Sequence, residues 1–256
     1  GVILKEGAAM DFENKSRIAG LVRFPSSLEA EDKSLTSLQD YVDRMQTDQK
    51  EIYYLTGETR ETIAQSPLLE TFRSRNLEVL LMSDPVDEWV VNSLLDFDGK
   101  KFQAVDAEDL ELKEDVKLEG VEADKERTVD LISFLKNELA GRVGDVKESQ
   151  RLTDSPCVLV TPKGGVSQHM ERLMKMADRD FEGGQRQLEI NPKHDIIRNM
   201  GAVLKRHRDS EQLTDWAHFL VDFVLLGEGK VDDPQRIGRT LQSIMGAATA
   251  HAAEED

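Results

Sequence analysis

Apolar residues recur at two angles along LTDWAHFLVDFVLLGEG, residues 213–229. Leu213, Trp216, Ala217, Leu220 and Val224 share one helical face. Phe219, Phe223 and Leu226 share a second, turned from the first by about a hundred degrees or more. A surface helix needs one apolar stripe, so a helix with two must be covered on both sides. Gly227 and Gly229 are expected to end this helix, Asp232 or Asp233 to cap the next, and Pro234 to sit in its first turn. Ile237, Leu241, Ile244 and Met245 form the stripe of that second helix. The remaining AATAHAAEED reads as a polar tail too short to cover anything. The pattern therefore predicts a helical hairpin with more apolar surface than one neighbouring layer can bury. Either the preceding domain wraps it, or a second copy pairs with it. Its place beside a terminus favours the second copy, with Trp216, Leu220, Phe223, Val224, Ile237, Leu241, Ile244 and Met245 at the contact.

Upstream the period changes. Residues 8–24 have helical spacing at Phe12, Ile18, Leu21 and Val22, and Ser37 with Asp40 is set to cap a helix carrying Leu38, Tyr41, Val42 and Met45. EIYYLTG (51–57), LEVLLM (77–82) and FQAVDA (102–107) read as strands. Between them lie a helix opened by Ser66-Pro67, with Leu69 and Phe72 inward, and a helix VDEWVVNSLL. Strands joined by helical connections of about twenty residues imply parallel pairing. The first fold class is thus α/β, a small three-layer αβα domain. Residues 106–126 are charged with few large apolar side chains, which suits a solvated connection. The boundary is placed there, dividing 1–115 from 116–256.

The second part reads as α+β, with a short sheet and several helices. A helix carries Leu131, Ile132, Leu135 and Leu139; strands follow at 145–152, 156–162 and 187–190. After Gly164-Gly165, Val166, Met170, Leu173 and Met174 fall at i, i+4, i+7 and i+8, with Met176 nearby. That stripe can face its own core, or it can serve as an adaptable apolar surface for varied partners, because Met side chains repack easily. Trp89 has the same two readings. Asn191 is expected to cap a helix beginning at Pro192.

Charge and chemistry narrow the function. A net charge of −17 over 256 residues argues against a nucleic-acid backbone as partner. No apolar run reaches the roughly 18–20 residues of a membrane span. One cysteine, Cys157, permits no internal disulfide and suits a reducing, cytoplasmic compartment. It sits in an apolar strand, as an inert thiol would. The five histidines show no metal-ligand spacing, and neither PKGG nor GEGK completes a phosphate-cradling loop. Asp84 and Asp87 follow a strand end, where α/β sites sit. They support one rival reading, a metal-dependent α/β enzyme; as acids at a helix start they also complement its dipole. A third reading is a monomeric scaffold. The opening GVILKEG carries no initiator Met and is expected to be a cut within a longer polypeptide.

Several segments together resemble the ninety-kilodalton heat-shock chaperone family in its bacterial form. They are QKEIYYLTGE (49–58), EVLLMSDPVDEWVV (78–91), FDGKKFQAV (97–105), RLTDSPCVLVT (151–161), MERLMKMA (170–177), LEINPKH (188–194) and LLGEGKVDDPQRIGRTL (225–241). They stand in family order across nearly the whole chain. The resemblance implies that residues 1–115 end the family's middle domain and that 116–256 are its C-terminal dimerisation domain, whose terminal helix pair forms a four-helix bundle between protomers. It implies a client-protein surface at Trp89, Val166, Met170, Leu173 and Met174. It places the ATP and magnesium site, and the arginine that reaches the phosphate, before Gly1. No cofactor, metal site or catalytic residue is then expected in this stretch, and ATP hydrolysis and stress-response folding would belong to the longer parent. Cytosolic eukaryotic relatives end in a Met-Glu-Glu-Val-Asp peptide that docks helical-repeat co-chaperones; HAAEED does not supply it, which removes the ground for expecting such partners.

Overall fold

The computed structural model describes residues 1–11, 13–28, 34–112, 124–177, 183–208, 210–231 and 233–254. The chain divides into two compact units, Gly1–Val116 with Val160–Arg186, and Lys117–Leu159 with Gln187–Asp256. In order, the first stretch holds α1 (Val2–Met10), α2 (Lys15–Ala19), β1 (Arg23–Phe24), β2 (Thr36–Ser37), α3 (Leu38–Arg44), β3 (Glu51–Thr56), α4 (Arg60–Ala64), a 3-10 turn Pro67–Leu69 running into α5 (Glu70–Ser74), β4 (Leu80–Met82), α6 (Asp87–Leu94), β5 (Asp96–Phe97) and β6 (Lys100–Ala104). Then come α7 (Lys125–Glu138), β7 (Asp145–Glu148), β8 (Cys157–Val160), α8 (Gln168–Ala177), β9 (Gln187–Ile190), α9 (Asp195–Arg206), α10 (Glu211–Gly227) and α11 (Pro234–Glu254).

The first unit is built on a four-stranded sheet ordered β4-β3-β6-β5. β3 runs parallel to both β4 and β6, as the sequence pattern requires of strands joined through helices. Ile52, Leu80 and Met82 enter a core with Ala8, Leu38, Tyr41 and Val90. The alternating residue Tyr53 points the other way, where its ring meets Phe72 of α5 edge-on at 5.0 Å. The sheet thus buries both faces, which accounts for the unbroken apolar run before Met82. The capping box read at Ser37 and Asp40 is present.

The sequence pattern runs one helix through residues 8–24, but the structure has α1 and α2. The Asp11 carboxylate accepts the backbone N–H groups of Glu13 and Asn14, at 3.2 and 3.1 Å, and so turns the chain between them. Phe12 lies outside the described residues. A hairpin not read from sequence joins β5 to β6 through Asp98-Gly99, with φ of 50° and 72°. Both central residues at positive φ make the turn that matches strand twist, and Asp-Gly is its usual pair.

In the second unit β7 and β9 are parallel, and the sheet order is β7-β9-β8. Leu131 and Leu135 from α7 with Leu139 just past its end, Val146, Leu159, Leu188 and Ile190 from the sheet, Ile197 and Leu204 from α9, and Leu213, Leu220 and Val224 from α10 form one core. α9 begins at Asp195, three residues beyond the predicted start. Its cap is His194, whose Nδ1 accepts the Ile196 N–H at 3.1 Å, while Asn191 is occupied with the Lys193 N–H and the Thr153 and Ser155 carbonyls.

Segment 160–186, placed by its sequence with residues 116–256, packs with the first unit. The physical reason is a short parallel pairing. The Thr161 N–H donates to the Asp106 carbonyl at 2.7 Å, and the Glu108 N–H to the Thr161 carbonyl at 2.8 Å.

Candidate functional site

The terminal hairpin is set by its turn. The Gly229 N–H donates to the Leu226 carbonyl and the Lys230 N–H to the Leu225 carbonyl, at 3.0 and 2.8 Å. Gly229 has φ of 76°, so it, rather than Gly227, supplies the left-handed stop. Asp233 accepts the Arg236 N–H at 2.9 Å and caps α11; Asp232 lies outside the described residues. The predicted polar tail is instead helical to Glu254. Five alanines between Ala247 and Ala253 give that segment high helix propensity.

The two apolar faces of α10 have different fates. Leu213, Ala217, Leu220 and Val224 are buried in the second unit's own core, and Trp216 packs against it half-buried. Ile237 of α11 is buried too. Those four of the predicted contact residues (Trp216, Leu220, Val224, Ile237) are therefore wholly or partly used within the chain. Phe223 and Leu226 of α10 and Leu241, Ile244 and Met245 of α11 remain exposed on the hairpin.

Inside that hairpin sits a carboxylate. Asp222 is 2% exposed. It accepts hydrogen bonds from Arg142 at 2.7 Å and from Arg236 at 2.7 and 2.9 Å. Burial works to raise its pKa, but the hydrogen bonds from Arg236 and Arg142, with their charges, hold the carboxyl below its usual range.

The second candidate surface is in the first unit. Ser167 caps α8, its Oγ accepting the Met170 N–H at 3.1 Å. The same hydroxyl donates to Glu88, whose side chain is buried beside Trp89 in α6. Arg172 pairs with Glu58. These bonds bring the start of α8 to α6. Trp89 is 53% exposed, Val166 and Met174 are exposed, and Met170 and Leu173 are half-buried. Met176, read as a nearby third thioether, is more exposed than any of them.

Asp84 and Asp87 are not free ligands. Lys5 Nζ lies 2.7 Å from a carboxylate oxygen of each, and the Asp84 N–H donates to Asp87 at 3.0 Å. A buried ammonium stands where a shared cation would have to sit, which does not favour the metal-enzyme reading. Among the described residues no group of three or more His, Cys, Asp or Glu is arranged to hold a metal ion. PKGG closes a tight turn in which the Gly165 N–H is spent on the Pro162 carbonyl at 2.8 Å. GEGK is the helix-ending turn described above. Neither segment presents a row of open amides to a phosphate. Cys157 is buried, and burial pushes its thiol up to about 12. No described helix is long and apolar enough to cross a membrane.

A family model described as Hsp90 protein matches residues 1–256. The chaperone protein HtpG of Geobacter metallireducens is 39% identical over 260 residues, covering 100% of this chain and 40% of that protein. HtpG of Myxococcus xanthus is 40% identical over 257 residues, covering 99% and 39%. HtpG of Shewanella pealeana is 39% identical over 249 residues, covering 96% and 38%. The chain therefore spans about two fifths of the length of these curated relatives.

Proposed function

The chain belongs to the Hsp90 family, and from that premise we propose that these residues form a self-associating, client-holding segment of an ATP-driven cytoplasmic chaperone. The observation that carries the reading is the exposure of Phe223, Leu226, Leu241, Ile244 and Met245. Several large apolar side chains exposed on one helical hairpin suit an interaction site. A second copy covers them with the same residues, as twofold pairing demands, and two hairpins then make a four-helix bundle. Joining two copies here makes any further contact between them intramolecular, at an effective concentration of roughly mM. Nucleotide-driven closure of the parent would depend on this hairpin without any nucleotide touching it. The reading assigns no ATP hydrolysis to residues 1–256 themselves.

Sedimentation across nanomolar to micromolar protein tests it. A mass of twice 28.8 kDa that persists on dilution is expected. A 28.8 kDa species at every concentration would sink the self-association reading and favour the monomeric scaffold.

Clients are held, in this proposal, by Trp89 with Val166, Met170, Leu173 and Met174, where thioethers repack around varied apolar segments. Trp89→Ala with Met174→Ser removes the two most exposed of these contacts. Binding of a permanently unfolded polypeptide, followed by fluorescence anisotropy, is expected to weaken by roughly tenfold. The melting temperature should stay nearly constant, because exposed substitutions cost little. A large loss of stability with unaltered client affinity would return these residues to an internal packing role.

A further inference from the structure

Asp222 is the lone charge in the run FLVDFVLL of α10. It joins three parts of the second unit through one carboxylate. Arg142 reaches it from the turn after α7 and also donates to the His218 carbonyl at 3.0 Å. Arg236 reaches it from the first turn of α11 with two nitrogens of its fork. Buried ion clusters are weak evidence of stability, since apolar residues of the same volume often serve as well; their best-attested use is to fix one register.

The burial of α11 shows why register matters here. Among its described residues the buried side chains are Ile237 and Thr240, both in the first two turns. From Leu241 to Ala250 every side chain is exposed. The helix is therefore held at its base and projects beyond it. Met245 stands nine residues past Arg236, about 13 Å along the helix at 1.5 Å per residue, so a tilt of about ten degrees at the base displaces it by about 2 Å. The bidentate bond from Arg236 lies at that base.

We propose that Asp222 is a positioning residue for self-association: gripped by Arg142 and Arg236, it fixes the direction of α11 against α10, so that Leu241, Ile244 and Met245 meet a second copy in one register. This rests on the reading of the hairpin as the self-association surface.

The decisive variant is Arg236→Met in the full chain, which keeps an apolar stem and leaves Arg142 paired to Asp222. Three readouts are taken: the dimer dissociation constant by sedimentation, the melting temperature, and hydrogen exchange of segment 237–245. Dimer affinity is expected to fall tenfold or more with little change in melting temperature. Exchange in 237–245 should quicken even in chains diluted to monomer. Arg236→Lys should recover part of the affinity, and in an Asp222→Asn background Arg236→Met should cost little more, because the contact it removes is already weakened. Unaltered affinity in Arg236→Met overturns the proposal, as does an affinity loss that merely tracks a fall in melting temperature. Should the unaltered chain be monomeric throughout, the self-association reading fails by itself. Exchange then decides the clip alone: faster exchange in 237–245 supports it, and unchanged exchange overturns it.

Discussion

Replacing Leu241 by Glu is expected to turn the proposed dimer into a 28.8 kDa monomer at micromolar concentration while the chain stays folded. Leu241 is 41% exposed in the single chain, so within one copy the change is a surface substitution of about 0.5 kcal/mol or less. Across a twofold contact it enters twice. A penalty of about 2 kcal/mol per copy, usual for a central interface residue, raises the dissociation constant by roughly a thousandfold. Leu220→Glu makes the contrast. Leu220 is 4% exposed and stands in the second unit's core. A carboxylate there loses the leucine's packing, about 2–5 kcal/mol, and adds several kcal/mol of uncompensated charge. Together these approach the whole stability of a domain, about 5–15 kcal/mol. Leu220→Glu should therefore lose helical circular dichroism, and Leu241→Glu should not. If Leu241→Glu kept its dimer mass, the seam would lie elsewhere on the hairpin.

That contrast marks where the sequence stops being informative. The two apolar faces of α10 are plain from spacing, as are the Asp233 cap and Pro234. Spacing cannot say which face meets the chain's own core. That depends on α7, β8 and α9 arriving against Leu213, Ala217, Leu220 and Val224. β4 is legible because burial on both faces leaves a continuous apolar run, and β3 by its β-branched and aromatic residues. The Asp98-Gly99 hairpin carried its own signal, an Asp-Gly pair followed by a strand. The helical continuation of α11 was legible too, in its alanines, against a reading that weighed polarity alone.

Polar pairing over long separations was not legible at all. Asp222 stands out in FLVDFVLL as an acid among apolar residues, yet its partner Arg142 is 80 positions away. Glu88 and Ser167, which bring α8 to the first unit, are 79 apart. A sequence pattern shows that a charge lies on a buried face without showing what neutralises it. The candidate surfaces thus divide by type. Their apolar members, from Trp89 to Met245, were identifiable by residue type and period, and the charged residues that orient them required the fold.

Lys5 is such a residue, and its removal should be costly. Lys5→Met is expected to destabilise the first unit by about 3–5 kcal/mol, the usual result of stripping the partner from a buried charge. The melting transition of that unit should fall on the order of 10 °C. Asp87 is 1% exposed, and the Lys5 ammonium sits 2.7 Å from its carboxylate. Burial pushes the Asp87 carboxyl up, against the pull of Lys5 and of the Asp84 N–H. A carboxyl raised in the folded state stabilises folding below its unfolded value, about 3.9, and that contribution is lost as pH rises through the folded value. Without Lys5 the folded value rises further and the affected range widens upward. The melting gap between wild type and Lys5→Met should therefore be largest near neutral pH and narrow as pH falls into the carboxylate range. Asp87→Asn retains an oxygen for the Asp84 N–H and removes the charge, so adding it to Lys5→Met should recover most of the loss. A pH-independent gap that Asp87→Asn does not rescue would mean that Lys5 acts chiefly through its ammonium over the Phe24 ring, whose centre lies 4.7 Å from Nζ, rather than through Asp87.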